Sequence, residues 1–351
     1  MDLLQATIAR IEPVDENARA AARARQDSLT KPPGSLGRLE ELAVQVAAIT
    51  GRATPTIEER LVFTFCGDHG VVAEGVSAFP GEVTPQMVRN FTQGGAAINV
   101  LARWAGARSV VVDVGVAVPL EDCPGVLPRK VRPGTANLAQ GPALTRAEAV
   151  AALEVGIRTF AETWSGRPAL LALGEMGIGN TTPAAAIAAA ITGLPPAEVT
   201  GRGTGVDDAR LAHKCAVIQR ALDLNRPDAS DGLDVLAKVG GLEIAAMAGA
   251  MLAGAAHRVP VVLDGFICGA AALVAAALAP RARDYFIAGH CSVEPGHRAV
   301  LAHLGLKPVV ELDLRLGEGT GATLAIPIID AACRLLAEMA TFAEAGVASH
   351  E

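Results

Sequence analysis

"RLVFTFCGDHGV", residues 60–71, decides how this chain folds. A short run of almost unbroken apolar residues ends abruptly in Gly67, Asp68 and His69. Continuous rather than alternating apolar character reads as a strand covered on both faces. The same punctuation returns where "SVVVDV" meets Gly115, "PALLAL" meets "GEMGIGNTT", "PVVLD" meets "GFICG" and "DYFIA" meets "GHCSVEPG". Long Ala-rich stretches with helical spacing separate these runs. Strands alternating with helices indicate an α/β fold: a Rossmann-like parallel sheet with helices on both faces. Ligands of such sheets bind beyond the carboxyl ends of the strands. The glycine-rich and polar segments should therefore gather along one edge, with "LGEGTGA" (316–322) joining them after the expected strand "PVVELDL" (308–314).

The chain ends have another texture. "ENARAAARARQDSL" (16–29) and "GRLEELAVQVAAIT" (37–50) are helical in pattern, and "TKPPGSLG" between them is interrupted by Pro32, Pro33 and Gly34. A last helix is expected over roughly 321–342. These pieces predict a small helical subdomain from residues 1–58 and 322–351, beside a large α/β domain over 59–321.

Composition narrows the function. Of 351 residues, 51% are apolar but only 3% aromatic, and the formal net charge is -7. Base-stacking grooves need exposed aromatics in a basic channel, so nucleic-acid binding is disfavoured. The six cysteines form no CxxC pair, which fits a reduced, cytoplasmic protein. The most membrane-like stretch, Gly240 to Pro280, is interrupted by Glu243, His257, Arg258 and Asp264, and reads as helix, strand and helix rather than a span. Its apolar character would also suit a subunit interface.

Several segments could carry chemistry. "GEMGIGNTTPAAAI" (174–187) runs from a strand end into a helix, with Thr181 or Thr182 expected as N-cap. Backbone N–H groups at such a turn suit an anion, phosphate above all. "GRGTGVDDARLAHK" (201–214) repeats the design, with Asp207 and Asp208 in the first helical turn and Arg202 and Lys214 to offset their charge. Neither "GRGTGVDD" nor "GEGTGATLA" has dinucleotide spacing, so a Rossmann oxidoreductase is a weak alternative. "GHCSVEPGH" and "CGDHG" hold ligand-type residues without a known zinc spacing, and no metal or cofactor is expected. Glu318, between Gly317 and Gly319, is either a helix N-terminal charge or a carboxylate held out to act on a ligand.

Taken in order, "LTKPPGSLGRLE", "CGDHGVVAEGVSAFPGEVTPQMVRNF", "GGAAINVLAR", "GEMGIGNTT", "GRGTGVDD", "LDGFICGAAAL", "GHCSVEPGH" and "LDLRLGEGTGA" extend from residue 29 to 322. The chain closely resembles the nicotinate-nucleotide:dimethylbenzimidazole phosphoribosyltransferases of cobalamin nucleotide-loop assembly. The resemblance implies transfer of phosphoribose from nicotinate mononucleotide to 5,6-dimethylbenzimidazole or a related base, giving α-ribazole 5′-phosphate and nicotinate. It also implies a homodimer. It makes Glu318 the catalytic base and brings Glu175 and Lys214 to the active site. Gly177, Gly179, Asn180, Thr181, Gly203 and Gly205 fall in the expected phosphate-binding loops, and Ser77, Phe79 and Gln86 in the segment lining the base pocket. A non-catalytic nucleotide- or base-binding protein on the same scaffold is the other reading, and it would have no need of Glu318.

Overall fold

The computed structural model describes residues 2–121, 123–203 and 205–348. Six strands form one parallel sheet: β1 (Glu59–Gly67), β2 (Arg108–Gly115), β3 (Val126–Pro128), β4 (Ala169–Met176), β5 (Val261–Leu263) and β6 (Phe286–Ala288). Their spatial order is β3-β2-β1-β4-β5-β6. The order reverses between β1 and β4, and an open α/β sheet splays a crevice at such a reversal. The register Phe65↔Glu175 and Cys66↔Met176 puts the ends of both central strands at that crevice.

Both faces are covered, which is why the strands are apolar throughout. Phe63, Phe65, Leu171 and Leu173 pack under the helices Arg146–Thr163 and Leu242–Ala256. Val62, Cys66, Leu170 and Ala172 pack against Ile326 and Ile329 of the helix Thr320–Glu338. The first two helices lie almost backbone to backbone. A Cβ at Gly156 would sit 1.9 Å from the Ala246 carbonyl oxygen, so glycine is what permits the approach. Gly240 to Pro280 resolves into helix, β5 and helix Phe266–Leu278, as expected. Residues 242–255 are buried within the chain itself, so that helix is not free to form a subunit interface.

The chain ends meet. Arg25 donates to the Leu336 carbonyl at 2.6 Å and to that of Ala337 at 3.0 Å, tying the helix Glu16–Ser28 to the end of Thr320–Glu338. Arg60 of β1 pairs with Asp330 at 2.8 Å. Among the described residues only Thr320–Glu338 is long and apolar enough to cross a membrane, and its apolar face is packed into the core.

Two expectations need correction. Residues 308–314 do not form a strand. Val309 donates to Ala288 at 2.9 Å and Cys291 to Val310 at 3.1 Å, but one isolated bridge, His290↔Val310, is all that results. Pro308 has no N–H to offer, and Asp313 turns the backbone left-handed at φ 54°. Conversely β3, three residues long, gave no apolar run to detect. The last helix ends at Glu338, short of residue 342.

Candidate active site

The site begins with a close fit between the end of β4 and the loop before Thr320–Glu338. Gly317, Glu318 and Gly319 are all left-handed, at φ 86°, 64° and 92°. A Cβ on Gly174 would lie 2.2 Å from the Glu318 carbonyl carbon, and one on Gly317 would lie 2.3 Å from Glu175 Oε1. Missing side chains therefore let the loop rest on the strand and bring the two glutamates together. Glutamate itself rarely adopts positive φ, at a cost of order 1–3 kcal/mol, and such outliers cluster at functional sites.

Glu318 is buried, and the Ile98 backbone N–H donates to its Oε2 at 3.3 Å. Ile98 lies in the first turn of the helix Ala97–Trp104. The helix that follows Glu318 takes its N-terminal carboxylate from elsewhere. Gly319 and Ala322 donate to Asp264, from the end of β5, at 3.2 and 3.0 Å. The capping role that sequence allows for Glu318 thus belongs to Asp264. Burial pushes the Glu318 carboxyl up, the Ile98 N–H opposes this, and the Asp264 charge adds to the rise.

Glu175 is pushed further, to about 8. Burial is the main cause, with the Glu243, Asp264 and Glu318 carboxylates adding to it and the Asn180 amide opposing. Asn180 donates to Glu175 Oε2, so its side chain is turned away from the helix it begins. Asn180, not Thr181 or Thr182, is the N-cap of Thr181–Thr192, and that end has no side-chain cap bond. Beneath the crevice His69 and Glu243 form a buried pair at 2.7 Å. Burial lowers the imidazole pKa, but the Glu243 charge and hydrogen bond, with the Asp68 charge, together raise it.

Above this acidic floor lies a cavity of about 400 Å³. Ser77, Phe79, Glu175, Gly177, Gly179, Asn180, Thr181, Gly203 and Glu318 all line it. Lys214 stands just behind the wall, 1% exposed, and its Nζ donates to Thr181 Oγ1 at 2.5 Å. Burial lowers the Lys214 ammonium to about 8, with Glu294 opposing the shift. Gly205 lines a neighbouring cleft that shares Gly203, Glu294 and Arg315 with the cavity. Gln86 is exposed and does not line the cavity, whereas the next residue, Met87, does.

Sequence reading did not assign several further residues of the wall, among them Gly265, Phe266, His290, Ser292, Glu294 and Arg315. "GHCSVEPGH" stood out for its ligand-type residues, but without a known zinc spacing no metal was expected there. In the structure His297 Nδ1 accepts from the Ser292 N–H at 2.9 Å, and Asp264 lies 3.6 Å from His290. Among the described residues no group of three or more His, Cys, Asp or Glu is placed to hold a metal. A larger surface cleft, about 600 Å³, is lined by Arg19, Arg23, Asp27, Glu40, Arg283 and Asp284, away from these strand ends.

This combination suits a small, flat, partly apolar ligand beside a sugar phosphate. One wall is apolar, two carboxyls with raised pKa face the space, and a cation backs the glycine loops.

Comparison with known proteins agrees. Residues 11–347 match a family model described as Phosphoribosyltransferase. A nicotinate-nucleotide–dimethylbenzimidazole phosphoribosyltransferase of Desulforamulus reducens is 60% identical over 348 residues, covering 99% of each chain. The Geobacter sulfurreducens protein of that name is 59% identical over 348 residues, again 99% of each. A crystal structure of CobT from Thermus thermophilus superposes with a TM-score of 0.90 at 54% identity, covering 95% of this chain and 100% of that one.

Proposed function

The chain belongs to this phosphoribosyltransferase family, and from that premise we propose how its cavity performs the reaction. The enzyme is a nicotinate-nucleotide–dimethylbenzimidazole phosphoribosyltransferase of cobalamin biosynthesis. It moves phosphoribose from nicotinate mononucleotide to 5,6-dimethylbenzimidazole.

Nicotinate leaves through a pyridinium nitrogen that already bears positive charge, so departure needs no general acid. The anomeric carbon gains oxocarbenium character as the bond opens, and nearby carboxylates stabilise it. Glu175 fits this task by holding ribose hydroxyls. With its pKa near 8 it is protonated at neutral pH in the unliganded protein. The pyridinium cation then favours its ionised form.

Dimethylbenzimidazole attacks through its bare ring nitrogen and must lose the proton on the other. Glu318 takes that proton. Its raised pKa brings it closer to neutral, where a general base works best, and its fixed backbone holds the carboxylate at the cavity wall. Val76, Phe79, Val83 and Met87 supply the apolar surface for the flat base. Lys214, with the loops of Gly177, Gly179, Gly203 and Gly205, holds the 5′-phosphate, and Asn180 and Thr181 order that end. Attack opposite the leaving group inverts the anomeric centre, which requires base and nicotinate on opposite sides of a fixed sugar.

The observation that supports this reading best is the left-handed Glu318, buried at the cavity wall while Asp264 caps the helix beyond. We further propose a cytoplasmic homodimer, with residues 1–58 and 322–351 as one helical subdomain beside 59–321. The scattered cysteines, with no CxxC pair, agree with a reducing compartment. The deciding experiment measures nicotinate release from nicotinate mononucleotide with and without dimethylbenzimidazole. Release that depends on the base, matched by α-ribazole phosphate, is expected. Nucleotide binding without release would return the chain to the reading of a binding protein.

A further inference from the structure

Glu294 has no part in the steps above, and its placement needs a reason. It is the N-cap residue of the helix Pro295–Leu304 but makes no side-chain bond to that helix. It reaches across instead, and the Gly203 N–H donates to its Oε1 at 2.9 Å. Its other oxygen, Oε2, is buried without a hydrogen-bond partner, and the residue is 7% exposed. A Cβ on Gly201 would lie 1.9 Å from Oε2, so the loop backbone is moulded around this carboxylate. Lys214 Nζ lies 3.2 Å from where a Gly203 Cβ would be, and it bonds Thr181 rather than Glu294. A buried carboxylate, turned from its own helix and half unsatisfied, is costly, and only the Gly203 N–H and the nearby Lys214 charge offset that cost here.

We propose that Glu294 is an internal stand-in for the substrate phosphate: its carboxylate takes the Gly203 N–H beside Lys214 and must swing aside before a phosphate can seat. This rests on the reading of Gly203 and Lys214 as the phosphate subsite. The competition weakens binding of both the phosphorylated substrate and the phosphorylated product. The effect is to trade ground-state affinity for release of α-ribazole phosphate. Glu294 is here a positioning and specificity residue, one that tunes which anion the loop holds.

The test compares wild type with Glu294→Gln, Glu294→Ala and Lys214→Met at pH 6.5. That pH lies below the Lys214 value of about 8, so loss of the neighbouring negative charge leaves the ammonium protonated. The readouts are KM for nicotinate mononucleotide, KM for dimethylbenzimidazole, and the inhibition constant of inorganic phosphate. Both Glu294 variants should lower the nucleotide KM and the phosphate constant by roughly two- to tenfold, the worth of one net hydrogen bond. The dimethylbenzimidazole KM should stay unchanged. Weaker or unaltered phosphate binding in both variants overturns the proposal, as does failure of both to fold, which would make Glu294 a structural anchor. Lys214→Met separates the two claims. If it leaves phosphate binding intact, the subsite itself is misplaced; if it weakens binding while the Glu294 variants do not tighten it, only the stand-in fails.

Discussion

Two loops of this protein share the pattern G-x-G-T-G and do opposite things with it. In Gly317–Gly321 the variable residue is Glu318, and in Gly201–Gly205 it is Arg202. Each precedes a long helix. Glu318 is buried, left-handed and directed at the cavity, because Asp264 caps the following helix in its place. Arg202 donates to Asp208 in the exposed first turn of Asp208–Asn225, while Asp207 caps that helix at 2.8 Å. The glycines permit both shapes; the neighbouring carboxylates decide which side chain turns inward. A glycine pattern thus specifies a backbone, and the surrounding charges specify the chemistry.

Glycine substitutions should break the symmetry most sharply. Gly317→Ala places a methyl 2.3 Å from Glu175 Oε1 at φ 86°, and should lower kcat by about 10²-fold through misplacement of the paired glutamates. Gly205→Ala, at φ 103° with nothing within 4 Å of its Cβ, should cost about 1–3 kcal/mol of stability and act on the nicotinate mononucleotide KM more than on kcat. Steady-state kinetics and thermal melting of the two variants test this together.

A pH profile sharpens the contrast next. The phosphate contact proposed for Lys214 requires its cation, and its pKa is lowered to about 8. Thus kcat/KM for nicotinate mononucleotide should fall tenfold per unit above about pH 8. Glu175 titrates in the same range, so the assignment needs a control. The limb should persist in Glu175→Gln and vanish in Lys214→Met.

Much of this architecture was legible in the sequence, for identifiable reasons. Strands β1, β2 and β4 are long and buried on both faces, so their apolar runs were continuous, and the glycine breaks after them marked the edge that holds the cavity. Neither the strand order nor β3 could be read, since both depend on pairing between distant segments. Glu175, Glu318 and the base-pocket segment stood out through their motifs. Asp264 did not, although it follows β5 within the quoted "LDGF", because its capping partner lies 55 residues away. Asn180 looked like a loop residue, yet its amide serves Glu175. Glu294 was visible as a ligand-type residue in "GHCSVEPGH", but with no known zinc spacing it was given no role. In each case the missing information was a long-range contact that no local pattern encodes.

Smaller effects follow from the same electrostatics. A carboxyl whose folded pKa is raised is a source of stability that disappears as pH climbs through that value. Glu175 must ionise within an acidic, buried environment above about pH 8. Glu175→Gln should therefore melt higher than wild type at pH 9, by roughly 2 °C or more, with the gap narrowing from about pH 8 down to the ordinary carboxyl value of 4.5. Arg202→Ala, removing an exposed pair, should change stability by less than about 0.5 kcal/mol, as denaturant titration can show.

The central claim is that Glu318 takes the proton of the incoming base, and Glu318→Gln tests it most directly. Turnover with dimethylbenzimidazole and melting temperature should be measured on the same preparation. A fall in turnover of about 10²–10⁴-fold, with the melting temperature held or raised, is the predicted result. A slightly less stable enzyme with turnover intact would contradict it, leaving Glu318 a structural charge at the start of Ala97–Trp104.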